Sequence, residues 1–87
     1  MITLYDFALS GNCHKIRMFL SLLQLPYVSR TINLVEGEQR KPEYLAINPF
    51  GQVPVLTDGD FTLRDSQAIL VYLACKHGGA RWWPDDA

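Results

Sequence analysis

Short apolar runs and one amphipathic period divide the chain into elements. Ile2 to Tyr5 is an apolar run bounded by polar residues, which predicts a short buried strand. From about Asn12 to Gln24, the apolar side chains Ile16, Phe19, Leu20 and Leu23 recur at the i, i+3, i+4, i+7 spacing of a helix face, and Pro26 ends the pattern. Tyr27 to Ile32 is rich in β-favouring residues and predicts a second strand. Glu38 to Ala46 predicts a short helix, with Pro42 suited to its early turn. Val53 to Thr57 and Phe61 to Leu63 are joined by Asp58-Gly59-Asp60, a strong hairpin signal. Ser66 to His77 is the last predicted helix, stopped by Gly78-Gly79. The order β-α-β-α-β-β-α places the chain in the α/β class, with a four-stranded mixed sheet flanked by helices and no internal repeat.

The pattern also contains an excess. Ala68 to Cys75 is apolar at every position, and Met18 and Leu22 lie off the core face of the first helix. A helix that is apolar all round must be covered on all sides, and a four-stranded sheet covers one side only. We therefore expect a missing cover for this surface, either a second domain, a partner subunit, or both. The ending Trp82-Trp83-Pro84-Asp85-Asp86-Ala87 reads as the start of a linker.

Length and composition narrow the partners. Eighty-seven residues make one small domain with a single core. A net charge of −1 gives no reason to expect nucleic acid or a membrane surface, and Arg40-Lys41 is only a pair of basic residues. No window approaches a membrane-spanning length, and the N-terminus enters a strand pattern without a signal peptide. Cys13 and Cys75 fit a reducing compartment, so the expected location is cytoplasmic. His14 and His77 have no partner at metal-ligand spacing, and no metal is expected.

The candidate chemistry lies in two stretches, Asn48-Pro-Phe-Gly-Gln-Val-Pro-Val-Leu56 and Asp65-Ser66. A proline that begins a strand cannot donate to the ladder and is tolerated there. If the Val53-Pro54 bond is cis, the Val53 backbone turns outward and its N–H and C=O are free for a peptide-like ligand. Asp65 and Ser66 open a helix, and a helix N-terminus is a natural seat for a carboxylate. A peptide with a free carboxylate is the ligand these features suggest.

Three stretches together resemble the N-terminal, thioredoxin-like domain of the cytosolic glutathione transferases, of the bacterial, serine-class type. They are Leu4-Tyr-Asp-Phe-Ala-Leu-Ser-Gly-Asn-Cys-His-Lys-Ile-Arg17, Lys41-Pro-Glu-Tyr-Leu-Ala-Ile-Asn-Pro-Phe-Gly-Gln-Val-Pro54 and Leu63-Arg-Asp-Ser-Gln-Ala-Ile-Leu-Val-Tyr-Leu73. The resemblance implies a glutathione-binding domain over residues 1–80, and a linker from residue 81 to a helical domain that holds a small electrophilic substrate. It also implies a homodimer, with glutathione as co-substrate. By the same resemblance, Val53 beside a cis Pro54 pairs through its backbone with the cysteinyl unit, and Gln52 flanks it. Ser66 binds the γ-glutamyl carboxylate. Asp65 stands where the family has Glu, one methylene longer, and faces the ammonium. Gln39, Arg40 and Lys41 lie where some classes hold the glycyl carboxylate.

Ser10 matches the hydroxyl that donates to the glutathione sulfur in serine-type members. A free thiol titrates near 8.5, and a donor plus a helix N-terminus lowers that value by about one or two units. Ser10 also has the alternative role of capping the first helix. Ser10-Gly-Asn-Cys13 has the spacing of a Cys-x-x-Cys motif without its first cysteine, which argues against dithiol chemistry. Cys13 and Asn12 remain rivals, Cys13 through a mixed disulfide with glutathione. Three functions follow: a glutathione transferase, a non-catalytic glutathione-binding or dimerisation module, and a glutathione-dependent reductase or lyase using Cys13. Isomerase, dehalogenase and peroxidase activities occur in the same superfamily.

Overall fold

Strand β1 (Ile2–Asp6) alternates buried and half-buried positions, so Ile2, Leu4 and Asp6 share its inward face. It lies inside a sheet of order β2-β1-β3-β4, in the computed structural model that describes residues 1–78. β2 (Tyr27–Thr31) runs parallel to β1, whereas β3 (Val55–Asp58) and then β4 (Phe61–Leu63) run antiparallel to their neighbours. Helices α1 (Gly11–Leu22) and α3 (Ser66–Leu73) cover one face. Their Ile16, Leu20, Ile69 and Leu73 close over Ile2, Leu4 and Leu56 to form the main core. The pairing Leu4↔Leu56 is followed by Tyr5↔Val55, and consecutive residues alternate faces. Val55 therefore joins Ile32 and Tyr44, from α2 (Pro42–Leu45), in a second cluster on the opposite face.

Four boundaries depart from expectation, each for a local reason. α1 stops before Pro26 is reached, because Gln24 turns left-handed (φ 57) and the Leu25 N–H bonds back to the Leu20 carbonyl. The helix expected over 38–46 is split into a 3₁₀ turn (Glu38–Arg40) and α2, with Lys41 extended between them (ψ 149). Proline disfavours the helical region for the residue before it. β3 begins at Val55 rather than Val53, since Pro54 has no N–H to donate. α3 yields after Leu73 to a π-helical turn, Ala74–Gly78. That wider turn brings Tyr72 and His77, five residues apart, to one side. The Tyr72 hydroxyl donates to Asp58 Oδ2 at 2.8 Å, and His77 Nε2 lies 3.1 Å from the same oxygen.

The apolar excess remains at the surface, where Met18, Leu22 and Val71 are 53%, 60% and 42% exposed. Among the described residues, no helix is long and apolar enough to cross a membrane. The expected stop at Gly79, the domain end at residue 80 and the linker over residues 81–87 lie outside the described residues.

Candidate functional site

Strand direction gathers the candidate residues at one end of the sheet. β1 ends at Asp6 and delivers the turn that carries Ser10, while antiparallel β3 starts at that same end, just after Val53-Pro54. β4 finishes there too and passes through Arg64 into Asp65 and Ser66. β2 ends alongside, held by the Ile32 N–H donating to the Asp6 carbonyl at 2.8 Å, and sends out the segment with Gln39, Arg40 and Lys41.

Ser10 is the N-cap of α1, its backbone extended (φ −80, ψ 123) and its Oγ accepting from the Cys13 N–H at 3.2 Å. The hydroxyl accepts this bond from the helix amide, and it also lies against the Cys13 thiol. Cys13 lies inside, with no exposed surface. Burial pushes its thiol up, against the lowering effect of hydrogen bonds with Ser10 and the Phe7 backbone, and the Asp6 carboxylate raises it further. A reactive cysteine needs a thiolate and access. Cys13 has neither near neutral pH, so the structure separates it from Ser10, which is half-buried at the surface.

The Val53–Pro54 peptide bond is cis. The Gln52 carbonyl before it is held from within, by the Tyr44 hydroxyl at 2.6 Å and the Asn48 side-chain amide at 3.0 Å. Asn48, 1% exposed, also accepts from the Phe50 N–H at 3.0 Å and so shapes the turn leading to Gln52. Tyr44 is pushed up to about 12, first by burial and then by Cys13 and Tyr5, so its phenol stays a donor throughout the physiological range. The Val53 N–H and C=O have no partner among the described residues. They present one strand-like edge that a peptide backbone can pair with.

Asp65 caps α3, its Oδ2 accepting from the Ala68 N–H at 3.0 Å, and it is exposed. No hydrogen bond among the described residues engages the Ser66 hydroxyl, which sits on the first turn where backbone N–H groups point out of the helix.

Gly51 (φ +64) allows a close approach: a side-chain carbon there would lie 3.1 Å from the Gln39 carbonyl oxygen. Gln39 is thus held over the turn that leads to Gln52, and its buried Oε1 has no hydrogen-bond partner among the described residues. Arg40, Lys41 and Gln52 are exposed. A cavity of about 310 Å³ beside α2 is lined by Ile32, Glu38, Lys41, Glu43, Tyr44 and Ile47. It shares Lys41 with the candidate residues and none of Ser10, Val53 or Ser66.

Sequence reasoning missed the anchoring roles of Tyr44 and Asn48. Asn48 was legible in principle, since Asn two residues before a turn amide is a common side-chain-to-backbone brace. It also missed the ion pair between Arg17 and Asp6. The signal was there: alternation along β1 puts a carboxylate on the inward face, and a buried charge demands a partner.

A family model described as "Glutathione S-transferase, N-terminal domain" matches residues 4–81. The chain belongs to this family. Its sheet and helices are the thioredoxin-like fold of glutathione transferases: a glutathione transferase homolog from Drosophila mojavensis, solved with bound glutathione, superposes with a TM-score of 0.93 and 40% identity over 98% of this chain. Human glutathione S-transferase theta-2 is 46% identical over 63 residues, 71% of this chain. The zeta-class glutathione S-transferase of Euphorbia esula is 43% identical over 76 residues, 87% of this chain. The chain spans 39%, 26% and 34% of the lengths of these three proteins, respectively. The human and Euphorbia proteins are of the theta and zeta classes, respectively.

Proposed function

We propose that this chain is the glutathione-binding half of a glutathione transferase. It binds glutathione, favours its thiolate and presents the sulfur to an electrophile held by a further part of the protein, which works as a homodimer in the cytoplasm. The observation that carries the reading is one sheet end that combines a Val53 backbone and a Ser66 hydroxyl, both without hydrogen-bond partners among the described residues, with a half-buried Ser10 hydroxyl at the start of α1. These match the three needs of the tripeptide: strand-like pairing for the cysteinyl unit, a helix N-terminus for the γ-glutamyl carboxylate, and a donor for the sulfur. Asp65 faces the ammonium, and Gln39, Arg40 and Lys41 face the glycyl carboxylate. Catalysis then consists of a lowered thiol pKa and alignment, without a covalent enzyme intermediate.

The serine-class assignment rests on Ser10. Burial of Cys13 counts against the reductase or lyase alternative. The test is retention of the full-length protein on immobilised glutathione. We expect retention that Ser66→Ala abolishes; a protein that flows through, or retention untouched by Ser66→Ala, would overturn the proposed site.

A further inference from the structure

The turn that presents Ser10 is braced from below by two charged side chains to which the reading above assigns no role. Asp6, the last residue of β1, is 6% exposed, and its Oδ1 is paired with Arg17 Nη1 from the second turn of α1. The other terminal nitrogen, Nη2, donates to the Ala8 carbonyl at 3.3 Å. One planar fork thus spans the strand end and the middle of the turn. Ser10 follows two residues later, with its N–H on the Phe7 carbonyl at 3.0 Å and its Oγ on the Cys13 N–H. The Asp6 carboxylate also faces Cys13, directly beneath that cap. Cys13 faces Tyr44 in turn, and burial raises both, so both are neutral near pH 7.

A negative charge buried under the turn opposes any anion seated at the Ser10 hydroxyl. The guanidinium cancels that charge where it arises. We propose that Asp6 and Arg17 are the positioning pair of the site: the fork fixes the Phe7–Ser10 turn, and its charge balance keeps the buried carboxylate from opposing a thiolate at Ser10. The charge-balance half rests on Ser10 as the sulfur's donor; the positioning half does not.

Charge and structure are separable because they predict opposite signs. Asp6→Asn leaves Arg17 uncompensated, so it should lower the pKa of bound glutathione's thiol by about half a unit, roughly threefold more thiolate, even while weakening the fold. Arg17→Met should raise it by a similar amount, and the double variant should return it close to the wild-type value. Arg17→Met alone leaves a buried carboxylate unpaired and endangers folding, so Asp6→Asn and the double variant carry the test. Arg17→Lys keeps the charge but loses the fork, and should speed hydrogen exchange at the Ser10 and Cys13 amides by about tenfold, with α3 amides unchanged.

An unchanged or raised thiol pKa in Asp6→Asn overturns the charge-balance role, and unchanged exchange in Arg17→Lys overturns the positioning role. Failure of the Ser10 reading shows up separately, as an unaltered thiol pKa in Ser10→Ala. Exchange needs no glutathione, so it decides the positioning role even if the tripeptide does not bind.

Discussion

Replacing Ser10 by alanine removes two interactions of different kinds, and each has its own magnitude. As N-cap, the Ser10 Oγ accepts from the Cys13 N–H at 3.2 Å, and losing such a cap costs about 1 kcal/mol of folding stability. As donor to a thiolate, the same hydroxyl makes a hydrogen bond to a charged group, worth roughly 1.5–3 kcal/mol when fully desolvated. Ser10 is only half-buried, so water replaces part of that bond and the lower end applies. The expected change is about one pKa unit in the bound thiol, or about tenfold less thiolate below its pKa. Ser10→Asp separates the two roles: aspartate caps as well as serine, but it brings a negative charge and no proton to donate. Denaturant unfolding should show Ser10→Ala destabilised and Ser10→Asp restored, whereas a thiolate titration of bound glutathione should show both variants raised. A bound-thiol pKa unchanged in Ser10→Ala, or brought back by Ser10→Asp, would refute the donor role.

Three further outcomes follow from the geometry. Alkylation followed by mass spectrometry should modify exposed Cys75 first and buried, upshifted Cys13 only on unfolding; rapid native modification of Cys13 would reopen its candidacy as a nucleophile. Gly51→Ala should cost about 1–2 kcal/mol for its left-handed backbone plus displacement of the Gln39 carbonyl. Gly59→Ala, equally left-handed but in open space, should cost only the first part and leave glutathione affinity intact. Asp58 is held below its ordinary 3.8 by hydrogen bonds from His77 and then Tyr72. Its stabilisation is therefore fully present above that value and lost as pH falls through the lower folded one. In urea titrations, the stability gap between wild type and Asp58→Asn should close on acidification, and a gap that widens would contradict the assignment.

The sequence pattern was a good guide wherever one residue type settles a local choice. Asp58-Gly59 set the hairpin, the apolar spacing of Ile16 and Leu20 set the buried face of α1, and Asp65 was readable as a cap. It was a poor guide where distant residues share a group. The π-helical turn after Leu73 makes sense only once Tyr72 and His77 are seen on Asp58, and the Asp6–Arg17 pair links a strand end to a helix. The Ser10, Val53 and Ser66 positions came from a family resemblance, and the topology explains why they meet. Three strand ends point the same way. Met18, Leu22 and Val71 stay exposed on this surface.

The central claim is that one glutathione molecule lies across this sheet end. A crystal structure of the full-length protein soaked with glutathione tests it most directly. The account predicts the cysteinyl backbone paired with Val53, the γ-glutamyl carboxylate on the Ser66 hydroxyl and N–H, and the sulfur within about 3.5 Å of Ser10 Oγ. Glutathione bound in the cavity beside Tyr44, or with its sulfur turned away from Ser10, would contradict it.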